Sequence, residues 1–476
     1  NLVLIMITKG DFMQKINLSL FIFLFAGFIN SNNNLDEEIV TVSFKIPKEI
    51  YKVPINVDLI DQEDLEKLEP LNLLSVFSNN LAIDTSSNGG PGQVASLFLR
   101  GSNSNHTLVK INGVKINPSS AGGASIYNLD TNLISNIEIG SGPLSSIHGS
   151  EAIGGVINIS TKNNTLNNSL STGFGFGPDS HFKTYLKSNI TNGGTSINLS
   201  YLDNKSNGFP VLKNSTLNRG YENKSFVTNM NYTKKNIDFS ISSWSSIGNV
   251  EYLVFKSPVS QNYKNQANSI DLKYKNINGY LFAVNLNSSK DLISQNDPNF
   301  LGVFDLTDTE RKSYEILLHS QLKESNSYSI GYLKEEEDVD YSSYGSFFQK
   351  KLSTESFFGA AELSSNSNSF IASIRESKHE LYGNQTSWNL GFLKEINKKL
   401  LLNISFGSAF RSPNSSELYG FGSNKDLNPE VSRSKEISLI KKESSSSIKF
   451  LYFRNKTMNL INFDYLDNIL RNIERS

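Results

Sequence analysis

Cysteine is absent from this chain of 476 residues. That excludes a disulfide scaffold, thiol catalysis and any Cys-ligated metal, and it leaves the compartment open. An excess of charge of one sign is also missing, since 45 Lys and Arg stand against 46 Asp and Glu. No overall basic field argues for nucleic acid, and no acidic block argues for a solvated tail. The five histidines, His106, His148, His181, His319 and His379, are isolated and lack metal-ligand spacing. The glycine-bearing segments at residues 140–146 and 173–177 match neither the dinucleotide fingerprint nor the phosphate loop, and no G-x-S-x-G elbow occurs. These absences exclude the common enzyme classes, and the chain reads as a non-enzyme without cofactor or metal.

Long apolar runs are scarce as well. The strongest, residues 16–29, is shorter than the roughly 20 residues that a spanning helix needs. Met13, Gln14 and Lys15 precede it, and Asn30 and Ser31 follow, which is the layout of a secretory signal; a membrane anchor is the alternative. Residues 1–12 then read as upstream translation. With no other candidate helix, membrane residence requires a barrel.

Aromatic residues are abundant. The chain has 30 Phe and 19 Tyr although only 38% of it is hydrophobic. Such a balance suits strands with one apolar and one polar face. Alternation with a period of two recurs from residue 169 onward, as in Ile237, Phe239 and Ile241, or Leu400, Leu402, Ile404 and Phe406. Short polar turns, such as residues 191–194, 233–236 and 395–399, alternate with long polar stretches at 204–223, 249–263, 334–354 and 411–432. Short turns on one rim and long loops on the other mark an outer-membrane barrel. A soluble solenoid or propeller is the competing architecture, and no fixed repeat supports it. The acidic run from Glu335 to Asp338 with Asp340 reads as a solvated loop face or a calcium loop.

Before residue 165 the chain is different. Residues 54–61 form an extended run, and Asp61 with Asp64 makes a capping box for a helix through Leu65 and Leu68. A second helix is expected over residues 71–77. Residues 97–100, 134–139 and 156–160 read as strands. Asn112-Gly113 between alternating apolar residues is a hairpin signal. Residues 149–155 carry almost no bulk, which lets a wall or another backbone approach closely. Residues 36–43 read either as an ordinary first strand or as a segment that adds to a partner sheet.

Leu99-Arg100-Gly101, the L-V-K-I-N-G-V-K-I-N hairpin, I-S-N-I-E-I-G-S-G-P and H-G-S-E-A-I-G-G-V-I-N-I-S-T-K together resemble the plug of TonB-dependent outer-membrane receptors. The stretch G-G-P-G-Q-V-A-S-L-F-L-R-G is similar to the cobalamin (vitamin B12) receptor branch, and Ala409 to Asn414 with Asn428-Pro429-Glu430 resembles a barrel signature of the family. The resemblance implies a mostly-β fold, with an N-terminal α+β plug domain inside an antiparallel transmembrane β-barrel. Its expected organisation is residues 1–31 upstream and signal, 32–50 TonB box and linker, 51–164 plug and 165–476 barrel. It implies TonB-dependent import, across the outer membrane of a Gram-negative bacterium, of cobalamin or a related corrinoid. A ferric siderophore or haem is the alternative cargo, and a passive porin or surface adhesin the alternative class. The implied partners are TonB, the cobalamin or metal-chelate ligand and outer-membrane lipid, without nucleic acid.

The resemblance also assigns residues. Glu37, Glu38, Ile39, Val40, Thr41, Val42 and Ser43 correspond to the TonB box. The ligand-facing plug apices are Gln93, Val94, Ala95 and Ser96, and Asn117, Pro118, Ser119, Ser120, Ala121, Gly122 and Gly123. Arg100 and Glu151 join the charge network between plug and wall. The chain departs from the family at Leu81-Ala82-Ile83, and its loop after Tyr201 offers only Asp203 and Glu222 as carboxylates, so calcium-assisted binding is not expected. About 15 or 16 strands are expected, against about 22 in plugged transporters; the sequence is therefore expected to be a fragment lacking C-terminal strands.

Overall fold

The computed structural model describes residues 2–6, 39–42, 45–68, 72–120, 123–162, 167–254, 257–297, 304–322, 326–343, 345–365, 367–443 and 446–474. The signal segment, Glu37, Glu38, Ser43, Ala121 and Gly122 lie outside them.

The larger unit is a curved antiparallel wall. Its strands follow one another in chain order, each paired with the next, from Ser169–Gly177 to Ser447–Met458. Residues Leu2–Met6, read from sequence only as upstream translation, join the last edge as a parallel sixteenth strand. Among the described residues the two edges do not pair with each other, so the wall is an open sheet.

Period-two patterning fixes which side faces lipid. On Phe304–Leu322, Thr309, Arg311, Glu315, Leu317 and His319 are buried inward, while Tyr314, Ile316 and Leu318 face out at 45 to 47% exposure. Phe226, Ile270, Ile330, Phe357 and Ile374 continue the outward apolar band on other strands. In water such a surface would be a liability; in a bilayer it is the solvated face.

Most of the long polar stretches are strand, not loop. Ile237–Val254 pairs with Ser257–Lys275, and Asn326–Ser343 with Ser346–Ser365, through to their tips. Crossing the membrane takes about 9–11 residues per strand, yet Ser346–Ser365 has 20. The surplus stands above the bilayer. There both faces meet water or plug, so apolar alternation stops while the backbone ladder continues. The loss of alternation therefore reads as a loop in sequence. Of the stretches expected to be loops, residues 210–218 and 412–429 remain irregular, the latter carrying the short helix Ser415–Tyr419.

The smaller unit is the plug. Its sheet runs Asn56–Ile60, Asn136–Ser141, Gly155–Ser160, Thr107–Ile111, Val114–Lys115. Asn112 and Gly113 turn the last hairpin with φ of 51° and 86°, the left-handed pair that a two-residue hairpin requires. Asp61 and Asp64 cap Gln62–Leu68 reciprocally, and Asn72 with Ser75 caps Leu73–Ser78. Ile137, Ile139, Ile157 and Ile159 point to one face and pack on Val76, Phe77, Leu99 and Ile126. The opposite face, Leu108 and Val156 with Val57 and Leu144, packs on Val40 and Val42. The bulk-free segment serves this sheet: a Cβ on Gly155 would lie 2.1 Å from the Gly140 carbonyl oxygen.

Candidate functional site

Three arrangements matter: the apex of the plug, its seams with the wall, and the grip on the N-terminal segment.

At the apex, residues 89–93 and Tyr127 face the first wall strands across a cavity of about 620 Å³, which Phe209, Arg219 and Tyr221 also line. Gln93 borders it. Val94 is exposed, whereas Ala95 and Ser96 belong to strand Ala95–Leu99, with Ala95 buried. The expected apical run is thus split by strand pairing with Ile83–Ser87.

The second apical loop is docked rather than free. Asn117 is consumed by its own hairpin, its side chain accepting from Val109 N at 2.7 Å and donating to Thr107 O at 3.0 Å. Its carbonyl accepts from Arg311 at 2.8 Å. Pro118 and Ser119 line a chamber of about 80 Å³ between plug and wall. Ser119 N donates to Glu337 and its carbonyl accepts from Ser415 N, while Thr309 Oγ1 donates to Ser120 Oγ. Gly123 lies beyond, near Ser104.

Arg100 reaches the wall. Its guanidinium donates to Glu436 at 2.7 Å with both side chains almost fully buried, and it lies over the Phe453 ring. Asn56 also donates to Glu436, at 2.6 Å. Beside them Glu430 accepts from His106, Arg411 and the backbone of Ile461, and Arg411 forks onto Glu417 at 2.8 and 2.9 Å. This network pairs its buried arginines with carboxylates, which is what makes their burial tolerable. Glu151 contributes differently. Its backbone N donates to Phe410 O of the wall, but its carboxylate pairs with Lys115 inside the plug.

The acidic run is not a loop face. Glu335 and Glu337 lie in strand Asn326–Ser343 on the lumen side, and Glu337 pairs with Arg311 at 2.7 Å. Among the described residues no cluster of His, Asp and Glu is placed to hold a metal.

The box segment is tucked against the plug. Ile39–Val40 pairs with Lys48–Glu49. The Glu138 carboxylate accepts from Thr41 N at 2.9 Å and Val42 N at 2.8 Å, and from the Thr41 hydroxyl. Thr41 O accepts from Lys45 N. His148 Nε2 lies 2.6 Å from Val42 O. Burial, aided by the Lys110 charge, holds the imidazole well below its usual pKa, hence neutral. The neutral ring donates from Nε2 to Val42 O, leaving Nδ1 to accept from Lys110 at 3.1 Å. Burial also lifts Glu138 above the ordinary carboxylate range, with the Thr41 and Val42 amides pulling the other way. Lys45 and Lys48 then tie the segment to Glu315 and Glu362 of the wall.

Sequence reading missed Lys110, Glu138 and His148, and every wall partner. Parity was the available signal. Arg311, Glu315, Glu337, Arg375 and Glu436 all occupy inward positions of alternating strands, where a charge needs a partner.

A lumen filled by a plug, fixed to the wall by buried ion pairs and trailing a held N-terminal segment, defines a gated outer-membrane transporter. The plug domain model of TonB-dependent receptors matches residues 49–156, and the TonB-dependent receptor-like β-barrel model matches residues 153–475. The chain belongs to the TonB-dependent receptor family, whose members are transporters of the Gram-negative outer membrane and not enzymes. It is 27% identical over 427 residues to a vitamin B12 transporter BtuB of Vibrio vulnificus, covering 86% of this chain and 68% of that one. The fold is similar to the siderophore receptor PirA of Acinetobacter baumannii, with TM-score 0.72, 18% identity and coverage of 88% and 76%. It is also similar to the alcaligin receptor FauA of Bordetella pertussis, with TM-score 0.74, 12% identity and coverage of 92% and 78%.

Proposed function

We propose that this receptor imports cobalamin or a related corrinoid, driven by TonB acting on residues 37–43. The similarity to vitamin B12 transporters carries the reading, because it runs through plug and wall alike. The apical cavity supports it. A volume of about 620 Å³ between a glycine-rich loop and the rings of Tyr127, Phe209 and Tyr221 suits part of a large, flat ligand. Gln93 is the proposed plug contact in this cavity and Pro118 and Ser119 those in the neighbouring chamber, and Arg100 and Glu151 hold the plug to the wall beneath them.

Equilibrium binding of cyanocobalamin against ferric siderophores tests the cargo, and uptake with and without an uncoupler tests the energy source. Cyanocobalamin binding and uncoupler-sensitive uptake are expected. Gly90→Trp should weaken binding, since Gly90 has an unstrained φ and its side chain would grow toward Phe209 and fill the cavity. Binding of a ferric siderophore in place of cyanocobalamin would move the cargo to the siderophore class. Uptake indifferent to the uncoupler would remove the TonB-driven reading.

A further inference from the structure

Two stretches of the wall's outward face carry cations just above the apolar band, and their surroundings differ. On Tyr280–Asn296, Phe304–Leu322 and Asn326–Ser343 the outward positions past the band hold Lys290, Lys312 and Lys334 together with Asp308, Glu310 and Glu336. These charges neutralise one another. Lys290 pairs with Asp308 at 2.9 Å and with Glu310 at 2.6 Å, and Lys334 with Glu336 at 2.8 Å. Lys312 stands opposite Glu336 in the ladder.

On Glu430–Lys442 and Ser447–Met458 the carboxylates are missing. Ser434, Glu436 and Ser438 are buried inward while Ile437 and Leu439 face out, so by the same parity Arg433 and Lys435 face out. On the neighbouring strand Phe450 and Tyr452 face out, and Arg454 and Lys456 follow them. The register sets Arg433 opposite Lys456 and Lys435 opposite Arg454. The flanking strands place Phe406 and Ser408, then Leu390 and Trp388, on the same two rows. No outward carboxylate borders the four cations, and among the described residues none of the four forms an ion pair. Beyond Tyr452 the far edge of Ser447–Met458 is unpaired among the described residues, so the strip is open on that side.

Like charges directly opposite each other on a sheet repel. Here they stand about 5 Å apart across the ladder and about 7 Å apart along it, a patch that calls for a shared anion. Its height identifies the anion. A strand crosses the membrane in about 9–11 residues, so Arg433 and Lys456 reach the upper rim and Lys435 and Arg454 lie just inside it. Their long stems lift the charges to the headgroups. Trp388, on the Arg433 row, marks the same interface. The molecules at that level are lipids, and an arginine fork takes a phosphate through two parallel hydrogen bonds.

We infer that Arg433, Lys435, Arg454 and Lys456 form a binding strip, on the outside of the wall, for a lipid of the outer leaflet that bears phosphate monoester groups. The inference rests on the wall spanning a membrane and not on the identity of the cargo.

The chain supplies its own reporter. Of its two tryptophans, Trp388 faces out beside the strip and Trp244 is buried against the plug. The full chain is reconstituted in phosphatidylcholine with brominated acyl chains, which quench Trp388 and do not reach Trp244. Unbrominated bisphosphorylated lipid A, phosphatidic acid or phosphatidylcholine, whose phosphate carries its own cation, is then titrated in. Emission should recover at lower mole fractions of the first two lipids than of phosphatidylcholine. Arg433→Gln/Lys435→Gln and Arg454→Gln/Lys456→Gln, one pair on each strand, should each lower that preference by about fivefold per cation removed. Lys290→Gln/Lys312→Gln changes the net charge equally on the neutralised stretch and should keep the native preference. Equal recovery with all lipids, or a native preference in both strip variants, overturns the proposal. So does an equal loss in Lys290→Gln/Lys312→Gln, because the preference would then follow overall charge. Absence of any lipid preference, with a lower particle mass of the strip variants in mild detergent, would give the strip to a second copy of the chain instead.

Discussion

The plug meets its wall in two unlike ways. Toward Leu400–Arg411 and Glu430–Lys442 the contact is the fully buried Arg100–Glu436 ion pair with the Asn56–Glu436 and His106–Glu430 hydrogen bonds, and toward Thr195–Phe209 and its neighbours it is a shared apolar core. Toward Phe304–Leu322 and Ser346–Ser365 two lysines hold the N-terminal segment, and Arg311 and Thr309 hold residues 117–120 by hydrogen bonds, with cavities above and below. Close-packed and desolvated contacts resist partial separation, since opening them strands charges or exposes apolar area. Single lysine side chains at the edge of a cavity can let go one at a time and re-hydrate. The difference divides the plug into a part that anchors and a part that yields.

The largest effect should come from the anchoring side. Arg100→Leu leaves the Glu436 carboxylate, 3% exposed, without its cation, and breaking a buried pair in this way costs about 3–5 kcal/mol. Lys48→Met removes the corresponding pair on the yielding side. There Glu362 keeps hydroxyl donors from Ser327, Ser364 and Ser369, so a smaller cost than for Arg100→Leu is expected. Trp244 provides the signal. It is 1% exposed at the junction of plug and wall, whereas Trp388 faces outward and can be replaced by Phe. Urea midpoints of Trp244 emission should fall much further for Arg100→Leu than for Lys48→Met. Equal shifts would erase the distinction between the two sides.

The same division explains what the sequence disclosed. Plug elements were legible because each rests on local chemistry: a reciprocal cap at Asp61 and Asp64, an Asn-Gly turn at residues 112 and 113, and a bulk-free run around Gly155. The membrane band of the wall was legible for the same reason, through alternation as at Ile237, Phe239 and Ile241. Two kinds of feature were hidden. Where strands rise above the bilayer, as Asn326–Ser343 does around Glu335 to Asp338, both faces are polar and the period disappears. Long-range pairs were hidden too. Arg100 was expected to reach the wall, but nothing local points to Glu436, 336 residues away. Glu138 looks in sequence like the polar member of an alternating strand, Ile137-Glu138-Ile139, and its role depends on a segment 97 residues upstream folding onto that face.

Glu138 sharpens the comparison at its boundary, where the yielding segment touches the anchored sheet. With the His148 bond and the Lys45 turn, its two amide bonds occupy the main-chain groups of Thr41 and Val42 that a partner strand would need. Glu138→Ala removes a carboxylate acceptor from the buried Val42 N–H and the half-buried Thr41 N–H, and a hydrogen bond to a charged group is worth about 1.5–3 kcal/mol. The box should then be released without ligand. Amide exchange at Val40 to Val42 should accelerate and the periplasmic domain of TonB should bind the ligand-free variant more tightly than the native protein. Trp244 midpoints should stay near native. Unchanged TonB binding and exchange would mean that the valines Val40 and Val42, buried against the sheet, hold the segment without Glu138.

The smallest effect concerns pH and the cation that faces the yielding seam. Burial, with the nearby Lys45 charge, lowers Lys110 to about 7, and Glu315 and Glu335 offset only part of that. An ordinary lysine titrates near ~10.4. Between those two values the unfolded chain holds a proton that the folded plug has released. Stability should therefore rise with pH from neutrality upward, by at most about 1.4 kcal/mol per pH unit. Below neutrality Lys110 is charged in both states and contributes no slope. The His148 bond survives either way, because ammonium and amine both donate to Nδ1. Lys110→Met cannot titrate, so its Trp244 midpoint should vary less between pH 7 and 9 than that of the native chain. Parallel pH profiles would place Lys110 in bulk-like water rather than in the dry packing beside His148.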